Sequence, residues 1–388
     1  MDEKKIINRR TFTKRAAGSL VASGLLSTRI FPWNSLLHAQ ENSNEKAAIE
    51  VEYRTLGRTG MNYTTLGFGA MRTTDPAVIR KAIDLGVNNI DTARVYMGGA
   101  NEEYVGKAIG DIRQKVHITS KVPPSDKERM LAEVEKSLKA IGTDYLDILL
   151  LHGLRNAEDL EKEEWLTFLQ QVKKDGKVRF VGFSTHSNMS DLITAALKDK
   201  FFDVILTAYN FKAHDGLISA IKEAAKAGIG IIAMKTQAGG YEDEKNKNIS
   251  PHQAALRWVL ANEGVICTIP SMVTFEQVDE NFQVMNSKMG WRDRKTLYYY
   301  GKAIDSKLCR FCESCRGTCP HAVSISDVNR CVMYHDVYKD KQLAFLNYAD
   351  IQPSQNISSC TRCTKCSVEC RYGLNIPANI SRAVELFA

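Results

Sequence analysis

The chain has 388 residues, of which 44% are hydrophobic and 25% charged, so it exceeds one ordinary domain and can form a sizeable core. Its formal net charge is +7, but residues 1–39 contribute a net of +5, which leaves +2 for the rest. A net charge of +2 is too small for a basic surface that binds the phosphates of a nucleic acid, so the composition argues against a nucleic-acid-binding protein.

The first 39 residues have the pattern of a targeting segment. The twin arginine at positions 9 and 10 precedes a modest apolar run, residues 16–26, that is too short to span a bilayer. With Phe12 and Lys14 at the expected offsets, this segment resembles a twin-arginine export signal; the alternative is a basic disordered arm. We therefore predict export to the periplasm or cell envelope and no transmembrane segment.

Past residue 50, short apolar runs alternate with helical patterns, as in a parallel sheet that is buried on both faces. Helical spacing predicts a helix over residues 158–174, and a capping-box Ser250 with Gln253 predicts the start of another. The glycines within residues 55–63 predict a small β-hairpin, which would close the floor of the barrel predicted below. Eight βα units in about 230 residues predict a (β/α)8 TIM barrel. The predicted strands are residues 68–71, 89–92, 116–121, 146–152, 179–184, 204–209, 230–235 and 265–270.

Four polar residues follow consecutive strands of this predicted barrel. Asp91 ends the second strand, Tyr96 lies in the loop after it, Lys121 ends the third strand and His152 ends the fourth. Each alone could be a solvated rim residue. Because the chemistry of such barrels lies at the carboxyl ends of the strands, the four together predict a catalytic site.

Around these residues the chain resembles the aldo-keto reductases, from about residue 53 to about residue 283. The resemblance implies an oxidoreductase that interconverts a carbonyl and an alcohol, with Asp91, Tyr96, Lys121 and His152 as its catalytic tetrad. A sugar is among the candidate substrates. The matching segments are residues 89–96 (NIDTARVY), 119–121 (TSK), 150–153 (LLHG), 182–184 (GFS) and 269–281 (IPSMVTFEQVDEN).

General chemistry agrees with the implied roles of the tetrad. Reduction of a carbonyl needs a hydride and a proton, and a tyrosine with a pKa of about 10 is a poor proton donor at neutral pH. We expect the Lys121 ammonium to lower the pKa of Tyr96 while Asp91 orients Lys121. His152 would orient the carbonyl oxygen and share its developing charge.

The resemblance also implies a nicotinamide site, with Ser184 at the carboxamide and Glu280 and Asn281 at the adenine end. The chain departs from the family pattern in two places. Met234 replaces the aromatic residue that usually packs on the nicotinamide, and Leu206 replaces a frequent glutamine.

The dinucleotide preference is open between NAD(H) and NADP(H). Ser271 and Gln277 stand where NADP-preferring relatives have basic residues that grip the 2′-phosphate. Lys235 is the candidate substitute cation, or else it points into the active site. Residues 236–248 form a loop that we expect to shape specificity.

Eight of the ten cysteines fall in two C-x2-C-x2-C-x3-C runs, within residues 309–319 and 360–370. Disulfides suit an exported protein, but so tight a repeat strains their geometry. Zinc prefers two cysteine pairs with a longer spacer. The spacing is instead that of a bacterial ferredoxin, which predicts two [4Fe–4S] clusters.

Ligation in such motifs is crossed, because the fourth cysteine of each run binds the other cluster. A helical pattern over residues 323–338 makes this segment resemble the α-helical dicluster ferredoxins. Pro320 follows the first run as in ferredoxins, whereas Arg371 follows the second. The predicted ligand sets are Cys309, Cys312, Cys315 and Cys370 for one cluster, and Cys360, Cys363, Cys366 and Cys319 for the other.

The sequence as a whole predicts an exported iron–sulfur oxidoreductase that relays electrons to a redox partner protein or quinone-linked acceptor. No flavin motif is present to convert hydride chemistry into the one-electron chemistry of the clusters. The alternative is therefore an electron-transfer or docking protein whose barrel is a degenerate scaffold with little nicotinamide binding. The predicted parts are a signal peptide (1–39), a linker (40–50), the barrel (51–300) and a mainly α-helical ferredoxin-like domain (301–388).

Overall fold

The structure is a computed structural model that describes residues 49–198, 200–240, 249–363 and 366–388. The predicted export signal lies outside these residues. Ile49–Ala388 forms one compact unit. Among the described helices, none combines the length and the apolar character that a membrane crossing needs.

The predicted floor hairpin is present. Strands β1 (Tyr53–Thr55) and β2 (Asn62–Thr64) pair antiparallel around a 3-10 turn at Gly57–Thr59. Between the strands, the buried side chains of Leu56 and Met61 pack with apolar residues of the barrel strands. The hairpin thus closes the amino-terminal end of the barrel.

Eight parallel strands follow in chain order, and each pairs with its neighbours in the sequence. Parallel bridges join Leu66 to Thr268 and Gly69 to Ser271, so the last strand returns to the first. A side chain at Gly69 would place its Cβ 2.6 Å from the Ile269 carbonyl oxygen, which is why glycine is needed there. The strands are β3 (Phe68–Gly69), β4 (Asn89–Asp91), β5 (His117–Val122), β6 (Leu146–Leu151), β7 (Val178–Thr185), β8 (Val204–Ala208), β9 (Gly230–Met234) and β10 (Cys267–Thr268).

Eight helices accompany these strands and bury their apolar faces against the sheet. The helix predicted over residues 158–174 is interrupted, because Lys162 adopts an extended conformation between a 3-10 turn (Ala157–Glu161) and the helix proper. The helices are α1 (Pro76–Asp84), α2 (Ala100–Ile109), α3 (Lys127–Ile141), α4 (Glu163–Lys174), α5 (Met189–Ala195), α6 (Asp215–Lys226), α7 (Pro251–Leu260) and α8 (Phe275–Phe282).

The helix predicted to begin at Ser250 is α7, and the Ser250 hydroxyl caps it by accepting from the Gln253 backbone amide at 3.2 Å. The predicted capping box is wrong in its second half. The Gln253 side chain donates to the Glu280 carbonyl at 2.7 Å instead of returning to Ser250. Gln253 therefore ties α7 to α8.

Four further helices follow the barrel: α9 (Trp291–Ile304), α10 (Ile325–Asp336), α11 (Lys341–Ala349) and α12 (Ile376–Phe387). Helix α10 is buried along its whole length from Ile325 to Tyr334. Met333 and Tyr334 pack with the barrel core, whereas Val328 and Val332 pack with a second, smaller apolar core. Helix α10 thus joins the two cores, and the boundary predicted between residues 300 and 301 falls inside α9.

Candidate active site

The four tetrad residues meet at the carboxyl ends of three neighbouring strands. Asp91 is the last residue of β4, Lys121 is the penultimate residue of β5, and His152 directly follows β6. Tyr96 begins a tight turn in which Met97 has a φ of 53°, which turns the chain sharply after β4. Because β4, β5 and β6 are hydrogen-bonded in that order, their ends lie side by side.

The Lys121 ammonium is the centre of this arrangement. It lies 2.6 Å from Asp91 Oδ1, 2.7 Å from the Thr92 carbonyl oxygen and 3.3 Å from the Tyr96 hydroxyl. Lys121 is only 1% exposed, so its charge depends on these partners. An ammonium has three donors, and all three are directed to oxygen atoms.

Burial and the neighbouring charges act in opposite directions on the pKa values of Tyr96 and Lys121. Burial raises the pKa of Tyr96 above its ordinary value, and this effect outweighs the lowering by the Lys121 charge. Burial alone would lower the pKa of Lys121, but Asp91 and Tyr96 raise it overall, so Lys121 stays protonated. Lys121 thus acts on Tyr96 in the predicted direction, but the net pKa of Tyr96 is raised, not lowered as predicted.

His152 is a neutral imidazole beside the Tyr96 ring. The two ring centres are 5.7 Å apart in an edge-on arrangement. Burial, with the charges of Lys121 and Lys235, lowers the pKa of His152 to about 3. Within the described part of the chain, its ring nitrogens have no hydrogen-bond partner, and the residue is half-buried. A neutral, partly open imidazole can donate a hydrogen bond to a substrate oxygen.

A second layer of buried polar residues, which sequence reasoning missed, supports the tetrad. Glu102 on α2 accepts from the Ser120 hydroxyl at 2.6 Å and pairs with Arg94. Asn101 accepts from the Thr92 hydroxyl at 2.7 Å. Ser120, one of three consecutive polar residues (Thr119, Ser120 and Lys121) in the buried strand β5, is the signal in the sequence that could have revealed this layer. These contacts fix the backbone on both sides of Lys121.

The residues predicted at the nicotinamide end lie at the ends of β7 and β9. Ser184 is buried, and its hydroxyl oxygen accepts from the Gly153 amide at 2.9 Å. Met234 is the half-buried last residue of β9. Lys235 follows it with a φ of 55°, in the left-handed region that non-glycine residues rarely adopt. Leu206 is buried in the barrel interior.

The residues predicted at the adenine end are gathered around α8, and most of them already have partners. Glu280 accepts from the Ser250 hydroxyl, and Asn281 accepts from the Gln237 side chain at 3.0 Å. The Gln277 side chain accepts from the Val273 amide at 2.7 Å. Ser271 lies at the bridge that closes the barrel. The Gln237 and Ser250 contacts hold the described parts of the loop between β9 and α7 to α8.

The tail of the chain, residues 301–388, covers the carboxyl ends of the strands that hold the predicted nicotinamide-site residues. Arg330 of α10 donates to the Ser187 hydroxyl at 3.2 Å, just after β7. The Lys235 ammonium, just after β9, lies 4.6 Å from the centre of the Tyr334 ring. Helix α10 therefore spans the region where the nicotinamide ring is predicted.

Two ion pairs fix α10 and the segment after it to barrel loops. Arg155, in the loop after β6, donates from Nη1 to both carboxylate oxygens of Asp327, each at 2.8 Å. Arg72, after β3, pairs with Asp340 at 3.1 Å. The tail is thus bonded to the loops on either side of the tetrad.

All eight predicted cluster ligands are free thiols. Five of them lie at the second apolar core: Cys315, Cys319, Cys360, Cys366 and Cys370. Cys309 packs instead against the barrel core. Burial, together with the charges of Glu313, Cys312 and Cys370, raises the pKa of Cys315 to about 12. Among the described residues, no three His, Cys, Asp or Glu side chains converge closely enough to hold a metal ion.

Comparison with known proteins places this site in a family. The model of the aldo/keto reductase family matches residues 65–248 and 241–290, which together exceed half of the chain. The chain is 28% identical over 237 residues to the methylglyoxal reductase YeaE of Escherichia coli, covering 57% of this chain and 82% of that protein. It is 27% identical over 289 residues to the L-galactose dehydrogenase of Arabidopsis thaliana, covering 60% and 87%.

A solved structure shares the fold. An aldo-keto reductase from Klebsiella pneumoniae, in complex with NADPH, superposes with a TM-score of 0.56 at 23% identity. The superposition covers 65% of this chain and 95% of that chain. The curled eight-stranded parallel sheet is thus the barrel of this fold.

Proposed function

The chain belongs to the aldo/keto reductase family, whose oxidoreductases act on carbonyl and alcohol groups, and on that premise we propose that Tyr96 exchanges the proton of this reaction. The observation that carries the proposal is the buried Lys121 ammonium, which touches both Asp91 and the Tyr96 hydroxyl. The same arrangement serves both directions of the reaction.

The residues divide the work of proton transfer. Tyr96 donates its proton to the oxygen of the carbonyl, and the neighbouring Lys121 charge stabilises the phenolate that remains. Asp91 holds Lys121 in place and keeps it charged. The neutral His152 donates a hydrogen bond to the same substrate oxygen, which orients it and spreads the developing charge.

A nicotinamide cofactor, when bound, supplies or accepts the hydride. Met234 would offer its half-buried apolar side chain to the ring, and Ser184, whose hydroxyl oxygen accepts from Gly153, would donate its hydroxyl hydrogen to the carboxamide. Neither Ser271 nor Gln277 is a cation, so a 2′-phosphate has no charged partner there. The proposed cofactor is NAD(H) or NADP(H), and this pair of residues favours neither by charge.

We further propose that the eight clustered cysteines hold two [4Fe–4S] clusters. The donor set is chemically suited to iron, and both runs lie around a single small core. Clusters bound there would make the tail a one-electron relay for the barrel. Assembly of clusters before export fits the twin-arginine segment. The proposed substrate carries a carbonyl or an alcohol group, and sugars are among the candidates.

A second function, a docking protein with a degenerate barrel, is favoured by one observation. Helix α10 lies over the ends of β7 and β9, next to Ser184 and Met234, where the nicotinamide ring is predicted. If α10 stays in place, little room remains for the cofactor. Titration of the protein with NADH and NADPH by fluorescence separates the two functions, because a scaffold would bind neither.

The proposed chemistry is tested by Tyr96→Phe. This change removes the proton donor and should lower turnover by about 10²- to 10⁴-fold, the usual range for general acid–base catalysis. The thermal unfolding midpoint is the control, since only a hydroxyl is lost. Unchanged turnover on every substrate that the wild type accepts would place the chemistry elsewhere.

A further inference from the structure

Two cations from different parts of the chain meet beside the tetrad. Lys235 belongs to the barrel and directly follows β9, and its ammonium lies 4.6 Å from the centre of the Tyr334 ring on α10. Its charge also lowers the pKa of His152. Arg330 belongs to the tail, is 1% exposed, and lowers the pKa of Lys235 through its charge. The tail therefore contributes directly to the surroundings of the active site.

The described carboxylates near Lys235 pair with other cations. Asp327 is shared by Arg155 and Arg330, and Asp340 pairs with Arg72. Glu313 acts on Arg330 only through its charge. Within the described residues, the Lys235 ammonium forms no hydrogen bond or ion pair. Its recorded contact there is a cation–π contact with the Tyr334 ring.

Several buried polar atoms around these cations also lack partners in the described structure. They are Nε of Arg330, Nδ1 of His186 and the hydroxyl of Tyr334. Buried polar groups are normally hydrogen-bonded, because an unpaired one has lost its bonds to water without replacement. These polar atoms have no partners in the described structure and lie near the Lys235 ammonium, which also has none there. Together they indicate a site that a bound ligand completes.

We propose that Lys235 and Arg330 form an anion subsite for the carboxylate of an acidic substrate whose reacting carbon lies between Tyr96 and His152. This inference rests on the proposed function for the position of the reacting carbon. Burial lowers the pKa of Lys235 to about 7, and a bound carboxylate would restore its charge. The tail helix then acts as a specificity element, since α10 supplies half of the subsite.

Binding without turnover tests the subsite directly. Tartronate and glycerol share a three-carbon skeleton with a central hydroxyl, and only tartronate carries carboxylates. By calorimetry at pH 6.5, the wild type should bind tartronate, and Lys235→Gln and Arg330→Gln should each weaken that binding about 10- to 100-fold. Arg330→Lys should recover part of the affinity, because it retains the charge.

Controls separate the subsite from general damage. Lys235→Gln removes a side chain without a polar partner, so it should fold normally even if Arg330→Gln does not. Arg382→Gln, which breaks a part-buried ion pair between α12 and Asp336 at the other end of α10, should leave tartronate affinity unchanged. In turnover assays, Lys235→Gln should raise the KM for glyoxylate at least tenfold, and the KM for methylglyoxal, which has no carboxylate, by a smaller factor.

Two results would overturn the subsite. One is a wild-type affinity for tartronate no greater than that for glycerol. The other is weaker dinucleotide binding in Lys235→Gln with intact tartronate affinity, which would make the anion a cofactor phosphate. Tartronate binding that both variants abolish, in a protein that turns over no carbonyl, would support the subsite and count against the proposed function.

Discussion

At the scale of single residues, Lys121 is the side chain on which the site depends most. Its buried charge is compensated by Asp91, so Lys121→Met leaves a buried carboxylate unpaired. We expect this change to destabilise the protein by about 3–5 kcal/mol, as measured by urea unfolding. Asp91→Asn in the same chain should recover part of that loss. If the double variant is no more stable than Lys121→Met, the unpaired Asp91 carboxylate is not the cause of the lost stability.

His152 gives the site a specific pH dependence. Its pKa in the folded protein is about 3, well below the value of about 6.5 in an unfolded chain, so protons bind the unfolded state more tightly. The stability that neutral His152 contributes is complete above pH 6.5 and is lost progressively as the pH falls toward 3. Between pH 7 and pH 5, the wild type should lose roughly 1–2 kcal/mol more than His152→Gln. Equal losses in both proteins would mean that His152 is not held neutral.

At the scale of elements, the barrel was readable from the sequence because each buried parallel strand is a short apolar run. The eight predicted strands all overlap the observed ones, and the four tetrad residues lie at the strand ends where they were expected. The net pKa of Tyr96 was not readable, because it depends on burial that the sequence does not display. The position of α10 was also beyond sequence reasoning. Its helical pattern is visible, but the pairing of Arg330 with Ser187 depends on tertiary packing.

The proposal that the two cysteine runs hold [4Fe–4S] clusters can be tested directly by metal analysis. Protein purified anaerobically should contain about eight iron and eight sulfide per chain, the content of two cubane clusters. Cys312→Ala should lose roughly half of the iron, whereas Cys331→Ala, a buried cysteine outside the runs, should lose none. One or two zinc ions per chain without labile sulfide would refute the cluster proposal.

At the scale of the whole molecule, the question is whether the barrel and the tail work together. Helix α10 belongs to both apolar cores, and its residues reach the loops after β6, β7 and β9. These contacts join the tail to the rim of the active site. Such a connection is what the proposed coupling needs, in which the two electrons from oxidation of an alcohol in the barrel would each reduce one cluster of the tail.

The most direct test of this coupling is anaerobic visible and EPR spectroscopy of the protein mixed with candidate sugars and alcohols, with and without nicotinamide. The account predicts that an accepted substrate bleaches the visible absorption of the wild-type clusters and produces a reduced-cluster EPR signal. In Tyr96→Phe, with the same iron content, both changes should be slowed by about 10²- to 10⁴-fold. Wild-type clusters that stay oxidised while nicotinamide turns over freely would contradict the account.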